Sequence, residues 1–164
     1  MKLSKHVLAL AFSAAYAVGA YAQNVTVTEA WARATVPGQK ATGAFMKITA
    51  KNNTKLIAVS SPVAGVAEIH EMKIDKDVMK MAALPNGLEL PAGKAVELKP
   101  GGYHVMLMNL KTPLLKDTTV PLTLVFKDAK GVQSKVEIAL PVAIRAPGAT
   151  ATMPAGMDHG QHKH

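Results

Sequence analysis

The chain has 164 residues and no cysteine, and its 19 Lys and Arg residues against 11 Asp and Glu give a formal net charge of +8. This length is enough for one domain with its own hydrophobic core. Without cysteine the fold has no disulfides, so the core must hold it together. The basic residues are scattered and only 4% of the residues are aromatic, which gives little support to nucleic-acid binding.

The first 22 residues are predicted to be a secretory signal peptide. Lys2 and Lys5 form a short basic region, residues 7–18 are largely apolar, and Ala20-Tyr21-Ala22 supplies an A-x-A cleavage site. The apolar run is too short to span a bilayer, so we expect export and cleavage rather than a retained anchor or membrane insertion. Because no cysteine follows the cleavage site, a lipoprotein is not indicated.

From Asn24 onward, short runs of strand-forming residues alternate with turn residues. The predicted strands are Val25–Thr28, Ala30–Arg33, Ala44–Thr49, Lys55–Ser60, Val66–Ile74, Val78–Leu84, Gly87–Leu90, Ala95–Leu98, Tyr103–Leu110, Val120–Phe126 and Val132–Leu140. Residues 75–77 and 128–131 are predicted hairpin turns. No convincing apolar run has helical spacing, so the sequence predicts an all-β sandwich or barrel with Greek-key crossings.

The composition changes after Pro141. Residues 146–152 are small and polar, and we interpret them as the start of a flexible, disordered tail after one domain over residues 23–145. The tail is rich in metal-binding side chains, namely Met153, Met157, His159, His162 and His164. Imidazole beside the carboxylate of Asp158 suits Cu(II) better than Cu(I), so the tail is a candidate secondary metal site. The alternative is a solvated tail that binds metals weakly and without purpose.

The strongest functional signal lies between residues 70 and 108, which contain two His-x-Met elements and five of the nine methionines. In a strand, side chains at i and i+2 share a face. Three such sets follow: His104, Met106 and Met108; His70 and Met72; Met79 and Met81. Thioether sulfur and neutral imidazole suit Cu(I), whereas Mg and Ca prefer oxygen. If the fold brings the three strands together, the sequence predicts a Cu(I) site.

The alternative is that these side chains have only a packing role. Methionine is a flexible core filler, and on alternating strand positions it is more often packed than bound to metal. The residue types alone give no rule for choosing among the five methionines. The presence of two His-x-Met elements in an exported chain without cysteine favours the metal site over the packing role.

Ten residues separate His70 from Met81, and His104-Val105-Met106 follows within the block Leu-Lys-Pro-Gly-Gly-Tyr-His-Val-Met-Leu-Met at residues 98–108. This combination resembles the signature of the periplasmic copper-A chaperone family, PCu(A)C, and the resemblance covers about residues 25–144. It implies a cupredoxin-like β-sandwich that binds Cu(I) through two His and two Met. By position, those ligands are His70, Met81, His104 and Met106.

One spacing departs from the family pattern. The 22 residues between Met81 and His104 are one more than is common in the family, and a one-residue insertion between Pro85 and Pro100 would explain the difference. Met79 shares a face with Met81 and stays open as the alternative fourth ligand, although the ten-residue count favours Met81. We expect Met72 and Met108 to pack beside the ligands.

The resemblance implies a periplasmic chaperone that delivers Cu(I) towards the copper-A centre of cytochrome c oxidase, and we expect it to be a monomer. The recipient would be oxidase subunit II or a Sco-type protein. A second hypothesis is copper buffering or resistance without a dedicated recipient. A copper redox enzyme of the cupredoxin type would need a Cys thiolate beside two His, and no Ser/His/Asp spacing or acid pair stands out, so we expect no catalysis. The remaining alternative is a purely structural β-sandwich.

Overall fold

The computed structural model describes residues 24–148, so the predicted signal peptide and most of the Met/His tail lie outside the described residues. Over this range all regular structure is β, which confirms the predicted class. The strands are β1 (Val25–Arg33), β2 (Ala41–Ala50), β3 (Thr54–Ser60), β4 (Ala64–Asp75), β5 (Val78–Ala83), β6 (Leu88–Leu90), β7 (Ala95–Leu98), β8 (Tyr103–Leu110), β9 (Thr119–Asp128) and β10 (Gln133–Ala143). From 24 to 148 there is no helix that could cross a membrane.

The strands pair in the order β5-β4-β8-β7-β2-β1-β10-β9-β3-β6, and β2 also pairs with β8. The first six form one sheet and the last four another, and β10 connects the two. It pairs antiparallel with β9 along its length and parallel with β1 at Val142 and Ala143. β4 and β5 are consecutive and form a local hairpin, whereas β4 and β8 are separated in sequence by three strands and meet only in the folded chain.

One hydrophobic core lies between the two sheets. Its largest fully buried side chains come from both, and they include Ile48, Val105 and Leu107 from the first sheet and Leu56, Leu122, Leu124, Phe126 and Leu140 from the second. Burying a side chain of this size stabilises a fold by about 1.5–3 kcal/mol. The stability of this chain, which has no disulfides, therefore comes from the hydrophobic core.

The predicted hairpin between β4 and β5 is confirmed. Asp75 pairs with Val78, which leaves the two-residue turn Lys76-Asp77 with φ angles of 49° and 62°. Positive φ at both residues is typical of a type I′ turn, which matches the twist of the flanking strands. This turn fixes the register that places Met72 opposite Met81.

The two strands predicted at Val25–Thr28 and Ala30–Arg33 are a single strand, β1. Its pairing with β2 shifts register between Thr28 and Trp31, and Glu29 within this bulge has a φ of 52°. An extra residue on one strand reverses which side chains face inward. As a result Val27 packs against the core before the bulge, whereas Trp31 beyond it points to the outer face of the sheet, opposite Phe45.

Candidate metal centre

The candidate ligands lie on the outer face of the first sheet. On β8, Val105 and Leu107 are fully buried in the core. Because successive side chains of a strand point to opposite faces, His104 and Met106 lie on the other side. The pairing of β8 with β4 and of β4 with β5 brings His70 and the hairpin methionines to this same face.

His70 and His104 are directly opposite each other in the β4–β8 pair. Their ring centroids are 5.8 Å apart and their planes meet at 60°. His104 is only 5% exposed, and the side chain of His70 is 12% exposed. The fold therefore brings together the two histidines that lie 34 positions apart in the sequence, in a site largely shielded from water.

Hydrogen bonds fix which nitrogen of each ring is free. Nδ1 of His104 donates to the carbonyl of Gly102 at 3.0 Å, and Nε2 of His70 donates to Oε2 of Glu68 at 2.8 Å. In a neutral imidazole the other nitrogen then carries a lone pair. Among the described residues, Nδ1 of His70 is the one buried side-chain polar atom without a hydrogen-bond partner. An unpartnered buried nitrogen is costly, and a bound metal would satisfy it.

The methionines surround the histidine pair on the same face. Met106 follows His104 by two residues and lies opposite Glu68, while Met72 follows His70 by two residues and lies opposite Met81. Met81 is thus the diagonal neighbour of His70 across the β4–β5 pair. Met79 lies two residues farther along β5, about 7 Å from Met81.

Within residues 24–148 there is no group of three or more His, Cys, Asp or Glu side chains that could hold a metal ion. The donors beside the two imidazoles are thioethers. Met106 is half-buried, and Met81 is 48% exposed. Two imidazoles with thioethers are a donor set that suits Cu(I).

Four charged side chains of the hairpin lie on the face opposite to its methionines. Nζ of Lys73 lies 2.7 Å from Oε2 of Glu71, and the hydrogen bond that the ammonium donates to this carboxylate raises the pKa of Lys73. Lys80, opposite Lys73, forms an ion pair with Asp75. The methionines of the hairpin therefore lie on the face opposite to these charges, which they share with Glu68, the hydrogen-bond partner of His70.

An aromatic wall, made of Trp31 and Phe45, borders the histidine pair on the side away from the hairpin. The two rings are 4.8 Å apart, the ring of Phe45 lies 6.4 Å from that of His104, and the guanidinium of Arg33 lies 5.4 Å from the centre of the Phe45 ring. This wall was not predicted from the sequence. A Gly-x-Phe pattern at Gly43 was the available signal, since the Phe45 ring lies where a side chain at residue 43 would be.

Comparison with known proteins assigns the family. A family model described as "Putative lipoprotein LpqE-like" matches residues 25–142. The chain belongs to this LpqE-like family, which is the PCuAC family predicted from the sequence. The protein "Putative lipoprotein Lxx21020" of Leifsonia xyli is 32% identical over 124 residues, which cover 76% of this chain and 72% of the relative. "Uncharacterized protein RP573" of Rickettsia prowazekii is 31% identical over 109 residues, covering 63% and 60% of the two chains.

Solved structures of PCuAC proteins are similar to this fold. The apo form of DR1885 from Deinococcus radiodurans has a TM-score of 0.55 and 29% identity, covering 88% of this chain and 96% of its own. The Cu(I) form of DR1885 has a TM-score of 0.54 and 32% identity, covering 76% and 82%. The apo PCuAC domain of PmoF1 has a TM-score of 0.55 and 25% identity, covering 73% and 95%. These similarities confirm the sheet-based fold.

Proposed function

We propose that the protein is an extracytoplasmic copper chaperone that binds Cu(I) through His70, Met81, His104 and Met106. The observation that carries this proposal is the buried histidine pair, in which each ring has one nitrogen free for a metal. The thioethers on the same face provide the soft donors that Cu(I) prefers. The Cu(I) form of DR1885, at 32% identity, supports the same cargo.

The register supports Met81 over Met79 as the fourth ligand. Met81 is diagonal to His70, whereas Met79 is opposite Ile74 and two residues farther from the histidines. The unbranched, flexible side chain of Met81 can turn towards the imidazoles. Copper held by a thioether at this half-exposed position would be open to an acceptor, whose ligands could replace the donors one at a time.

We further propose that the protein acts in the periplasm and delivers Cu(I) towards the copper-A centre of cytochrome c oxidase, directly or through a Sco-type protein. The signal-peptide pattern and the family's lipoprotein descriptions support export. Copper buffering is the second candidate, because Met153, His159 and the other tail donors would add capacity, including for Cu(II). Deleting the gene separates the two: loss of oxidase activity at low copper indicates delivery, and copper sensitivity with intact oxidase indicates buffering.

An anaerobic Cu(I) titration of the full chain against bicinchoninate tests the site. The background is a variant in which all tail donors, Met153, Met157, His159, His162 and His164, are replaced by alanine. We expect one tight equivalent, weakened at least about tenfold, or 1.4 kcal/mol, in His104→Ala and in Met81→Ala. Met108→Leu serves as the control, because it changes a methionine on the same face without removing a proposed ligand.

Two results would contradict this assignment. Absence of tight Cu(I) binding in the tail-substituted chain would refute a core site altogether. Unchanged binding in Met81→Ala together with weakened binding in Met79→Ala would move the fourth ligand to Met79.

A further inference from the structure

Three methionines continue from the histidine pair to the edge of the sheet. Met72 is two residues from His70 on the same face, Met81 is directly opposite Met72, and Met79 is two residues from Met81. We propose that Met72 and Met79, with Met81 between them, form a thioether relay along which Cu(I) moves between the histidines and the exposed edge of the β4–β5 hairpin. This inference rests on the proposed Cu(I) site.

The spacing along the relay suits successive exchange of one ion. Directly opposed residues in an antiparallel pair have Cβ atoms about 4.5–5.5 Å apart, as for Met72 and Met81. Residues at i and i+2 of a strand are about 7 Å apart, as for Met81 and Met79. Methionine is unbranched with three rotatable bonds, so neighbouring sulfurs in this line can approach a common point.

The inner end of the relay is tied to the histidine site. The backbone N–H of Met72 donates to the carbonyl of Gly102 at 3.2 Å, and the same carbonyl accepts the hydrogen bond from Nδ1 of His104. Met72 is also one strand nearer to His104 than Met81 is, because β4 pairs directly with β8. The backbone of Met72 is therefore tied to the same carbonyl that orients the His104 ring.

Exposure increases along the relay. His104 is nearly buried, Met72 is half-buried, and Met79 is 50% exposed. All six residues of β5 are exposed, and over the described part of the chain β5 pairs only with β4. An acceptor can thus reach Met79 without opening the sheet. Lys73 and Lys80 lie on the other face of the hairpin, where each is paired with a carboxylate, so these two ammonium groups point away from a cation moving along this line.

Loss of a relay residue should have a different kinetic effect from loss of a resting ligand, that is, a ligand that holds copper at equilibrium. If Met79 holds copper only in passing, removing its sulfur raises the barrier for uptake and for release by the same amount. Both rate constants then fall by one factor, and their ratio, the Kd, is unchanged. A resting ligand, in contrast, lowers affinity when it is lost.

The test uses the full chain with the tail donors replaced by alanine, loaded with Cu(I). Release to excess bathocuproine disulfonate and uptake from the bicinchoninate complex are followed by stopped flow. We expect Met79→Leu to slow both steps about threefold or more, a barrier change near 0.7 kcal/mol, with the Kd unchanged. Leucine keeps the volume of methionine, so packing is preserved. Met108→Leu, a change on the same face but away from the three relay methionines, should alter neither rate.

Methionine methyl NMR gives a second readout. Substoichiometric Cu(I) should broaden the methyl signals of Met72 and Met79, and leave that of Met108 sharp. Unchanged rates in Met79→Leu, or a Met79 methyl that does not respond to Cu(I), would overturn the relay. Weaker Cu(I) binding by Met72→Leu, with an unchanged uptake rate, would overturn the relay role of Met72 and make it a ligand that holds copper at equilibrium. Failure of the proposed function is distinguishable, since His104→Ala would then bind Cu(I) as the unsubstituted site does.

Discussion

A methyl group at residue 43 should disturb the aromatic wall beside the proposed copper site. Gly43 lies on β2 directly opposite Met106, and the ring of Phe45 leans over it. A Cβ at this position would lie 2.7 Å from Cζ of Phe45 and 3.3 Å from both Cε atoms. Carbon atoms normally approach to about 3.5–4.0 Å, so Gly43→Ala must move the ring by about 1 Å.

The ring has little room to move. Phe45 is 6% exposed and packs against Trp31, with Arg33 over its face. Overpacking of this kind typically costs about 1–3 kcal/mol. For a domain of this size, that loss lowers Tm by about 3–15 °C. Because Phe45 also neighbours His104, we expect weaker Cu(I) binding in addition to lower stability.

Thermal unfolding measures the loss of stability, and Cu(I) competition measures the loss of affinity. The chain has one tryptophan, Trp31, whose fluorescence reports the shift of the Phe45 ring. Gly102→Ala is the matched control, because a Cβ there meets Lys99 at an ordinary 3.7 Å. Gly43→Ala combined with Phe45→Leu should recover part of the loss, since the smaller side chain vacates the space. A Gly43→Ala protein as stable as the Gly102→Ala control, with unchanged fluorescence, would refute the reasoning.

Three further changes test the fold that positions the site. Gly87→Ala should destabilise the fold more than Gly43→Ala does, because the φ of Gly87 is +77° and a Cβ there would clash with the carbonyl oxygen of Leu56. Chemical denaturation measures the loss of stability, and a loss smaller than that of Gly43→Ala would contradict this prediction. Replacing Lys76 and Asp77 by Asn and Gly should stabilise the hairpin by roughly 0.5–1 kcal/mol, since both residues have positive φ; an unchanged or lower Tm would count against this. Leu107→Ala should cost about 2–5 kcal/mol as a fully buried core truncation, and a denaturation midpoint near that of the unchanged chain would be inconsistent with its placement.

The alternation of residues was enough to predict most of the fold. The prediction of β7 and β8 matched both ends of each strand. The two predicted hairpins are present, although Asp75 and Asp128 belong to the strands and Val132 belongs to the second turn. The bulge in β1 was not predictable from alternation, because Glu29 carries no glycine-like signal for its positive φ. Its consequence, the outward position of Trp31, was therefore missed as well.

The sequence could group the candidate donors but could not arrange them. The alternation of side chains along a strand places Met79 and Met81 on one face, so it does not distinguish between them as candidate ligands. The register of the β4–β5 hairpin separates them, since it sets Met81 opposite Met72 and Met79 opposite Ile74. The direct pairing of His70 with His104 depends on β4 lying beside β8, which are separated in sequence by three other strands. Such long-range pairing leaves no local pattern.

The position of the site in the sheet suits the two tasks of a chaperone, on the proposed function. Holding Cu(I) needs donors fixed in place, and the imidazoles of His70 and His104 sit on two paired strands with hydrogen bonds that orient each ring. Releasing Cu(I) needs at least one donor that an acceptor can displace, and Met81 lies on the exposed edge strand. If all four donors were as buried as His104, release would require local opening of the sheet. A sheet edge supplies both conditions within one face, because rigidity comes from the inner pair of strands and access from the outer one.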